Sequence, residues 1–314
     1  MPDVVTIGET MLRLSAPAGL ALEQAPSLHV HIAGAESNAA MALSRLGTSA
    51  GWISRLADNP FGRRICNEVR AQGVDVSRVL WTQGSRVGTY FVEIGQAPRQ
   101  GRVIYDRAGS AMASISPDEV DWAYVRGAKA IHLSGITPGL SPSCRQLTDR
   151  AIAEAHAADA IVSFDVNYRS RLWAPADAAA VLGVLLARVT ILICTAADGR
   201  VLFGTDGSAA ETAQALYDRF RPEVAVVTDG IQLAAVSGRQ MVEQEGYPVD
   251  AVDRIGAGDA FAAGFLHGFL SNGVHQGLAY GAALAALKHT YYGDTAWVLE
   301  EDVQRLISGE KTWR

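Results

Sequence analysis

Lysine is nearly missing from this chain: among its 27 basic residues only positions 129, 288 and 311 are lysine. Any anionic ligand is therefore met by arginine or by backbone N–H groups. Basic charge as a whole is also in deficit. The net charge is −6 and the pI about 5.7, so there is no chain-wide basic footprint for nucleic acid. The three cysteines, Cys66, Cys144 and Cys194, are widely spaced and odd in number, which suggests neither a disulfide framework nor a cysteine zinc site. No stretch approaches the ~20 uninterrupted apolar residues of a membrane helix. The N-terminal MPDVVTIGETMLRL lacks a basic n-region and a long apolar run, so it does not read as a signal peptide. A cytoplasmic protein without membrane or nucleic-acid partners is the expectation.

Several catalytic motifs are missing too. There is no G-x-x-x-x-G-K-[ST] phosphate loop, and no His-Arg-Asp or Asp-Phe-Gly that would support a protein kinase. No G-x-G-x-x-G follows the first strand-like run, so a dinucleotide dehydrogenase is unsupported. His29 and His31 share one side of an alternating strand, but no third ligand accompanies them.

What is present is core-forming material: 49% hydrophobic and 19% charged residues over 314 positions, enough for one large domain or two ordinary ones. Short apolar runs at 4–8, 50–56, 130–135, 160–166, 189–194 and 224–230 alternate with helix-length segments at 36–47, 59–73, 143–158 and 176–188. This alternation predicts an α/β fold, a mostly parallel sheet with helices on both faces. Gly47 and Gly73 sit where helices would end. Two regions, about 11–34 and 87–109, alternate apolar and polar residues with no helix between them. They predict a small antiparallel β lid inserted in one domain spanning 1–314. Exposed lid strands such as 28–32 make a homodimer through the lid an expectation as well.

The stretch DRIGAGDAFAAGFLHGFL (253–270) sets two acids around a glycine turn that opens an apolar helix near Gly258. A strand-like YPVDAVD (247–253) precedes it. The first N–H groups of a helix lack internal partners and carry partial positive charge, and glycines let a ligand approach them closely. An acid such as Asp259 in the first helical turn commonly only complements the helix dipole. Beside a phosphate cradle, however, it fits a general base for the hydroxyl that attacks phosphorus, while the turn amides stabilise the transferring group.

D-R-I-G-A-G-D resembles the second signature of the ribokinase-like (pfkB) sugar kinases, usually D-T-x-G-A-G-D, and AGAESNAAMALSRLG (33–47) resembles their first. Ala33 replaces a common glycine and Arg254 the usual threonine. The resemblance covers essentially the whole chain. It implies ATP and Mg²⁺ as cofactors, Asp259 as catalytic base, and Gly256, Ala257 and Gly258 as the anion cradle. VVTDGIQLA (226–234) resembles the family's nucleotide loop, with Thr228 and Gly230 as the contacts; an Asp-Gly hairpin turn is the plain alternative. Where many members carry Asn-x-x-Glu near magnesium, this chain reads Thr195-Ala-Ala-Asp198, so Asp198 is the metal-site candidate, acting through water.

SFDVNYRSRLW (163–173), GAESN (34–38) and VIYDRAGSA (103–111) are similar to the 2-keto-3-deoxygluconate kinase branch. That likeness implies a small sugar-acid substrate held by Gly34, Asn38, Tyr90, Tyr105, Arg107, Arg169 and Asp294. Two convergent arginines suit a carboxylate; for Arg169 a structural salt bridge with Asp165 or a neighbouring loop is the plain alternative. A fructokinase- or ribokinase-type enzyme for a neutral sugar is the alternative. A non-catalytic binding regulator on the same fold is a further one, against which the intact Asp259 and glycines argue.

Overall fold

The computed structural model describes residues 1–95 and 98–310. Residues 96–97 of the second lid region, and Lys311, lie outside them. The main sheet contains β1 (Val4–Ile7), β4 (Ala50–Ile53), β9 (Ala130–Ser134), β10 (Ile161–Asp165), β11 (Ile191–Thr195), β12 (Val224–Asp229), β13 (Gln232–Ser237) and β14 (Gln240–Glu245), in the order β14-β13-β12-β11-β10-β9-β1-β4. Pairing is parallel from β4 through to β12 and antiparallel across the last two hairpins. The parallel strands are apolar without alternation because both faces are covered. Val4, Ala130, Ile191 and Val226 belong to one core, with the Ala35–Arg45 and Ala257–Lys288 helices; Val5, Ile131, Leu192 and Val227 belong to the other, with the Pro142–His156, Pro175–Leu186 and Ala209–Phe220 helices.

The chain first builds β1 and β4, then crosses to the other side of β1 to add β9 to β12 in order. The crevice at the carboxyl ends of β1 and β9 is therefore the topological switch point, where open α/β sheets bind ligands. The segments following β1, β9, β10 and β11 supply Glu9, Ile136, Asn167 and Asp198 to one cleft.

The lid comprises β2 (Met11–Ser15), β3 (His29–Ala33), β7 (Thr89–Glu93) and β8 (Arg102–Asp106), ordered β3-β2-β7-β8. As expected, β2–β3 and β7–β8 pair antiparallel; the two insertions join through parallel pairing of β2 with β7. The short β5 (Arg55–Ala57) and β6 (Leu80–Thr82) form a separate pair. Met11, Ala33, Tyr90 and Val92 make a small apolar cluster against which Tyr105 and Ile255 pack, so the inner face of the lid rests on the glycine turn.

One expected strand is not a strand. Residues 247–253 lie outside the sheet, and the Val252 and Asp253 amides donate to the His289 carbonyl at 2.8 and 3.3 Å. Pro248 has no N–H to give a ladder. The Ala257–Lys288 helix is broken at Asn272 and Gly273, where φ is −148° and +77°. Among the described residues no helix is long and apolar enough to cross a membrane.

Candidate active site

Two cavities meet at the glycine turn. The first, about 360 Å³, lies between the lid and the strand ends. Every residue expected to touch the acceptor lines it: Gly34, Asn38, Tyr90, Tyr105, Arg107, Arg169 and Asp294, together with Asp198, Gly256, Gly258 and Asp259. The second, about 450 Å³, is lined by Thr228, Gly230 and Ala257, and it shares Thr195, Arg254 and Gly258 with the first. Acceptor-side and nucleotide-side candidates thus fall into neighbouring spaces with the helix start between them.

Gly256 caps the long helix with φ +86°, and a Cβ there would lie 2.2 Å from the Asp294 carbonyl oxygen. Only glycine satisfies both demands. A Cβ on Gly258 would meet nothing within 4 Å and would enter the cleft itself. The amides of Gly256, Gly258 and Asp259 have no partner among the described residues, as expected of donors at a helix start. They face the cleft where the anion cradle was expected, whereas the Ala257 amide donates to the Arg254 carbonyl at 3.4 Å.

Asp259 is 8% exposed and held from both sides. Asn38 Nδ2 donates to Oδ2 at 2.7 Å, and Asn167 Nδ2 donates to Oδ1 at 3.3 Å and to Asp165 Oδ2 at 2.8 Å. Asn167 has φ +40°, a conformation that asparagine tolerates better than most residues. Burial, reinforced by the charge of Asp259, raises the Asp165 pKa to about 7. The two amides fix the orientation of the Asp259 carboxylate while leaving a lone pair on each oxygen free to accept.

The two arginines differ. Arg107 gives Nε, at 2.7 Å, and Nη2 to the same oxygen of Glu9, so its charge is already compensated. Arg169 donates Nη1 only to the Tyr168 carbonyl, at 3.1 Å, and has no ion pair among the described residues, neither with Asp165 nor with another acid. Tyr90 and Tyr105 stack at 5.6 Å between centroids.

Behind the acceptor cavity lies a buried charge network that periodicity does not announce. Arg13, 1% exposed, donates to Asp253 Oδ2 at 2.5 Å, to Asp294 Oδ1 at 2.6 Å and to Ser15 Oγ at 2.8 Å. Tyr90 donates its hydroxyl to Asp294 Oδ2 at 2.8 Å. Asp253 also accepts the amides of Ile255 and Gly293, each at 3.1 Å. Lys288, wholly buried, donates to the Asp253 carbonyl at 2.9 Å and the Tyr291 carbonyl at 3.3 Å. The network ties lid strand β2 to the start of the glycine turn and to Gly293 and Asp294.

The nucleotide-side cavity has Leu233, Phe261 and Ala285 as apolar walls, and His289, whose buried Nδ1 has no partner among the described residues. Phe261 and His289 carry no motif and were not foreseen. The β12–β13 connection is a two-residue turn with Gly230 at φ +60°, so the Asp-Gly hairpin and the cavity wall coincide.

Comparison with known proteins gives the family. The model of the pfkB family carbohydrate kinases matches residues 1–301. The chain belongs to that family. It is 44% identical over 309 residues to a 2-dehydro-3-deoxygalactonokinase of Haloferax volcanii, covering 98% of this chain and 97% of the relative. It is 34% identical over 294 residues to a 2-dehydro-3-deoxygluconokinase of Thermoproteus tenax, covering 91% and 87%. Among solved structures, the 2-dehydro-3-deoxygluconokinase of Thermotoga maritima superposes with a TM-score of 0.93 at 32% identity, over 98% of this chain and all of that one. The protein is a carbohydrate kinase, and its substrate is a small sugar-type molecule.

In this kinase, Asp198 fits the requirements of Mg²⁺. It lies in the first turn of the Ala196–Phe203 helix, lines the acceptor cavity, accepts the Tyr168 amide at 3.2 Å, and has its pKa raised by burial. Among the described residues no group of three His, Cys, Asp or Glu side chains is placed to hold a metal ion.

Glu36 in the kinase's first motif was not foreseen as a keystone. Its Oε1 accepts the hydroxyls of Ser134 and Thr137, both at 2.7 Å, and a Cβ on Gly8 would lie 2.2 Å from Oε2. Burial raises its pKa to about 7, against these hydrogen bonds. The folded state therefore holds this proton more tightly than the unfolded chain, and stability falls as pH rises from about 4.5 to about 7. Glu36→Gln removes that loss. The Tm of the variant relative to the parent is expected to move in its favour by about 5 °C between pH 5 and pH 8. A pH-independent gap would place the ionisation elsewhere.

Proposed function

We propose that this kinase transfers the γ-phosphoryl group of ATP to a hydroxyl of a 2-keto-3-deoxy sugar acid, with 2-keto-3-deoxygluconate the preferred acceptor and Asp259 the general base. The observation that carries the acid is Arg169, a guanidinium lining the acceptor cavity with no ion pair among the described residues. The names of the relatives from Haloferax, Thermoproteus and Thermotoga support the same substrate class.

The acceptor lies beneath Tyr90 and Tyr105, its carboxylate towards Arg169. Asn38 and Asn167 hold Asp259 so that it takes the hydroxyl proton as oxygen bonds to phosphorus and the bond to ADP breaks. The amides of 256–259 meet the negative charge on the transferring group, and Thr228 and Gly230 border the nucleotide. Mg²⁺, held through water by Asp198, would neutralise phosphate charge when bound. We include in this proposal a homodimer formed through the lid, whose strand β3 is an unpaired edge of its sheet.

A neutral-sugar kinase of fructokinase or ribokinase type is the second reading. The Glu9–Arg107 pair favours it, since one free arginine remains rather than two. ADP release from Mg-ATP, followed with 2-keto-3-deoxygluconate, 2-keto-3-deoxygalactonate, fructose, ribose and adenosine, separates the two. Turnover is expected with the keto-deoxy acids. Arg169→Ala should raise KM for them by about 10–100-fold, the worth of a charge-assisted hydrogen bond, with KM for ATP unchanged. Selective turnover of a neutral sugar, or indifference to Arg169→Ala, overturns the sugar-acid reading.

A further inference from the structure

The acceptor cavity is lined by an acid, Glu9, one oxygen of which is buried without a partner among the described residues. Glu9 follows β1 at the switch point of the sheet and is 3% exposed. Its Oε2 is occupied by Arg107, whereas its Oε1 is buried with no partner among the described residues. Of the buried side-chain atoms in that condition, only Glu9 Oε1 and Asn167 Oδ1 belong to residues lining the acceptor cavity, and of these two only Glu9 carries charge. Leaving a carboxylate oxygen out of water without a donor is costly.

Nor is Glu9 free to turn towards another donor. Its main chain abuts Gly34, where a Cβ would lie 2.1 Å from the Glu9 carbonyl oxygen. On the lid side a Cβ on Gly88 would lie 3.1 Å from Oε1. Arg107 holds the other oxygen. The side chain is fixed with one acceptor committed to the protein and one left over.

We propose that Glu9 is a specificity-determining residue: its Oε1 accepts the O–H of one acceptor hydroxyl other than the one phosphorylated. A sugar hydroxyl is a donor, whereas a substrate carboxylate has no proton to give and would be repelled. Glu9 and Arg169 therefore sort the two kinds of group on the acceptor, hydroxyl towards the acid and carboxylate towards the free arginine. Together they orient the molecule for Asp259. The Glu9–Arg107 pair acts as a hydroxyl reader, and the arginine supports the acid instead of binding substrate charge.

This inference rests on the cavity being the phosphoryl-acceptor site, and its test is run on whichever sugar the parent kinase turns over, acid or neutral. For that sugar, analogues lacking each hydroxyl singly, other than the one phosphorylated, are compared in the parent enzyme and in Glu9→Gln, which keeps the shape but replaces the charged acceptor. One deoxy analogue should be disfavoured by the parent by about 100-fold or more in kcat/KM, because a site built to bond a hydroxyl rejects its absence strongly. Glu9→Gln should lower kcat/KM for the complete sugar by about 10–100-fold and leave that one analogue unchanged, with KM for ATP constant. The discrimination then collapses at a single carbon. An equal loss on every analogue would make Glu9 only a brace for Arg107, and no loss at all would likewise overturn the proposal. A measurement on the unmutated enzyme guards against misfolding of the variant. At the carbon read by Glu9, a fluorine, which cannot donate, should be rejected as strongly as hydrogen. Rescue by fluorine at every position would show that protein donors read the sugar, and that Glu9 does not.

Discussion

Replacing Asp259 by asparagine is expected to lower kcat by about 10²–10⁴-fold, the usual contribution of a positioned acid or base, with acceptor and nucleotide affinities within a few-fold of the parent. The substitution is nearly isosteric, and the residue is 8% exposed in the first cavity, next to Gly258, which lines both. Neither wall of either cavity changes. What is lost is the proton acceptor, held between the amides of Asn38 and Asn167. A rate effect without a binding effect is the mark of an interaction made only in the transition state. Single-turnover rates alongside calorimetric titration of each substrate measure the two separately. Turnover at the parent rate would remove Asp259 from the mechanism; loss of sugar binding in proportion to the rate would make it a binding residue.

Much of this site was legible because its chemistry is local in sequence. The glycine turn, its acid and the apolar helix behind it lie within a few residues, and Gly256 meets the two demands that exclude a side chain. The alternation of apolar runs with helical stretches was legible for the same reason: a strand buried on both faces writes its burial into consecutive residues, as in Val4 to Ile7 and Ile191 to Cys194. Where the reading failed, the deciding partner was remote or the pattern was ambiguous. The 247–253 stretch has strand-like composition, yet its amides bond to a helix end. Arg107 and Arg169 look equivalent as arginines near one cleft, and only the acid at position 9, 98 residues before Arg107, separates their roles. Arg13 alternates with Leu12 and Leu14 on a strand that reads as half exposed, but its face is covered by Asp253 and Asp294, 240 and 281 residues further along. No local period records such a pairing.

That remote pairing carries the largest expected effect on stability. Arg13→Met keeps the bulk of the side chain and removes its charge, leaving Asp253 and Asp294 buried and facing each other. Burial raises the Asp294 pKa even with Arg13 present to oppose it, and without the arginine nothing of opposite charge lies as close. Breaking a buried pair by removing one partner typically costs about 3–5 kcal/mol, which for a chain of this size is a fall in Tm on the order of 10 °C. The loss should depend on pH. Carboxylates deprived of their cation hold protons more tightly in the folded state than in the unfolded chain, so the variant is penalised more as pH rises, and its deficit is smaller at pH 5 than at pH 8. Arg13→Met combined with Asp253→Asn and Asp294→Asn removes the uncompensated charge as well, and should recover much of the stability lost. Recovery of activity is not expected with it. Tyr90, Gly293 and Ile255 take their positions from those same carboxylates, and the cradle opens from Ile255 onward. A single variant melting with the parent would mean that the lid is held to the core by its apolar cluster alone.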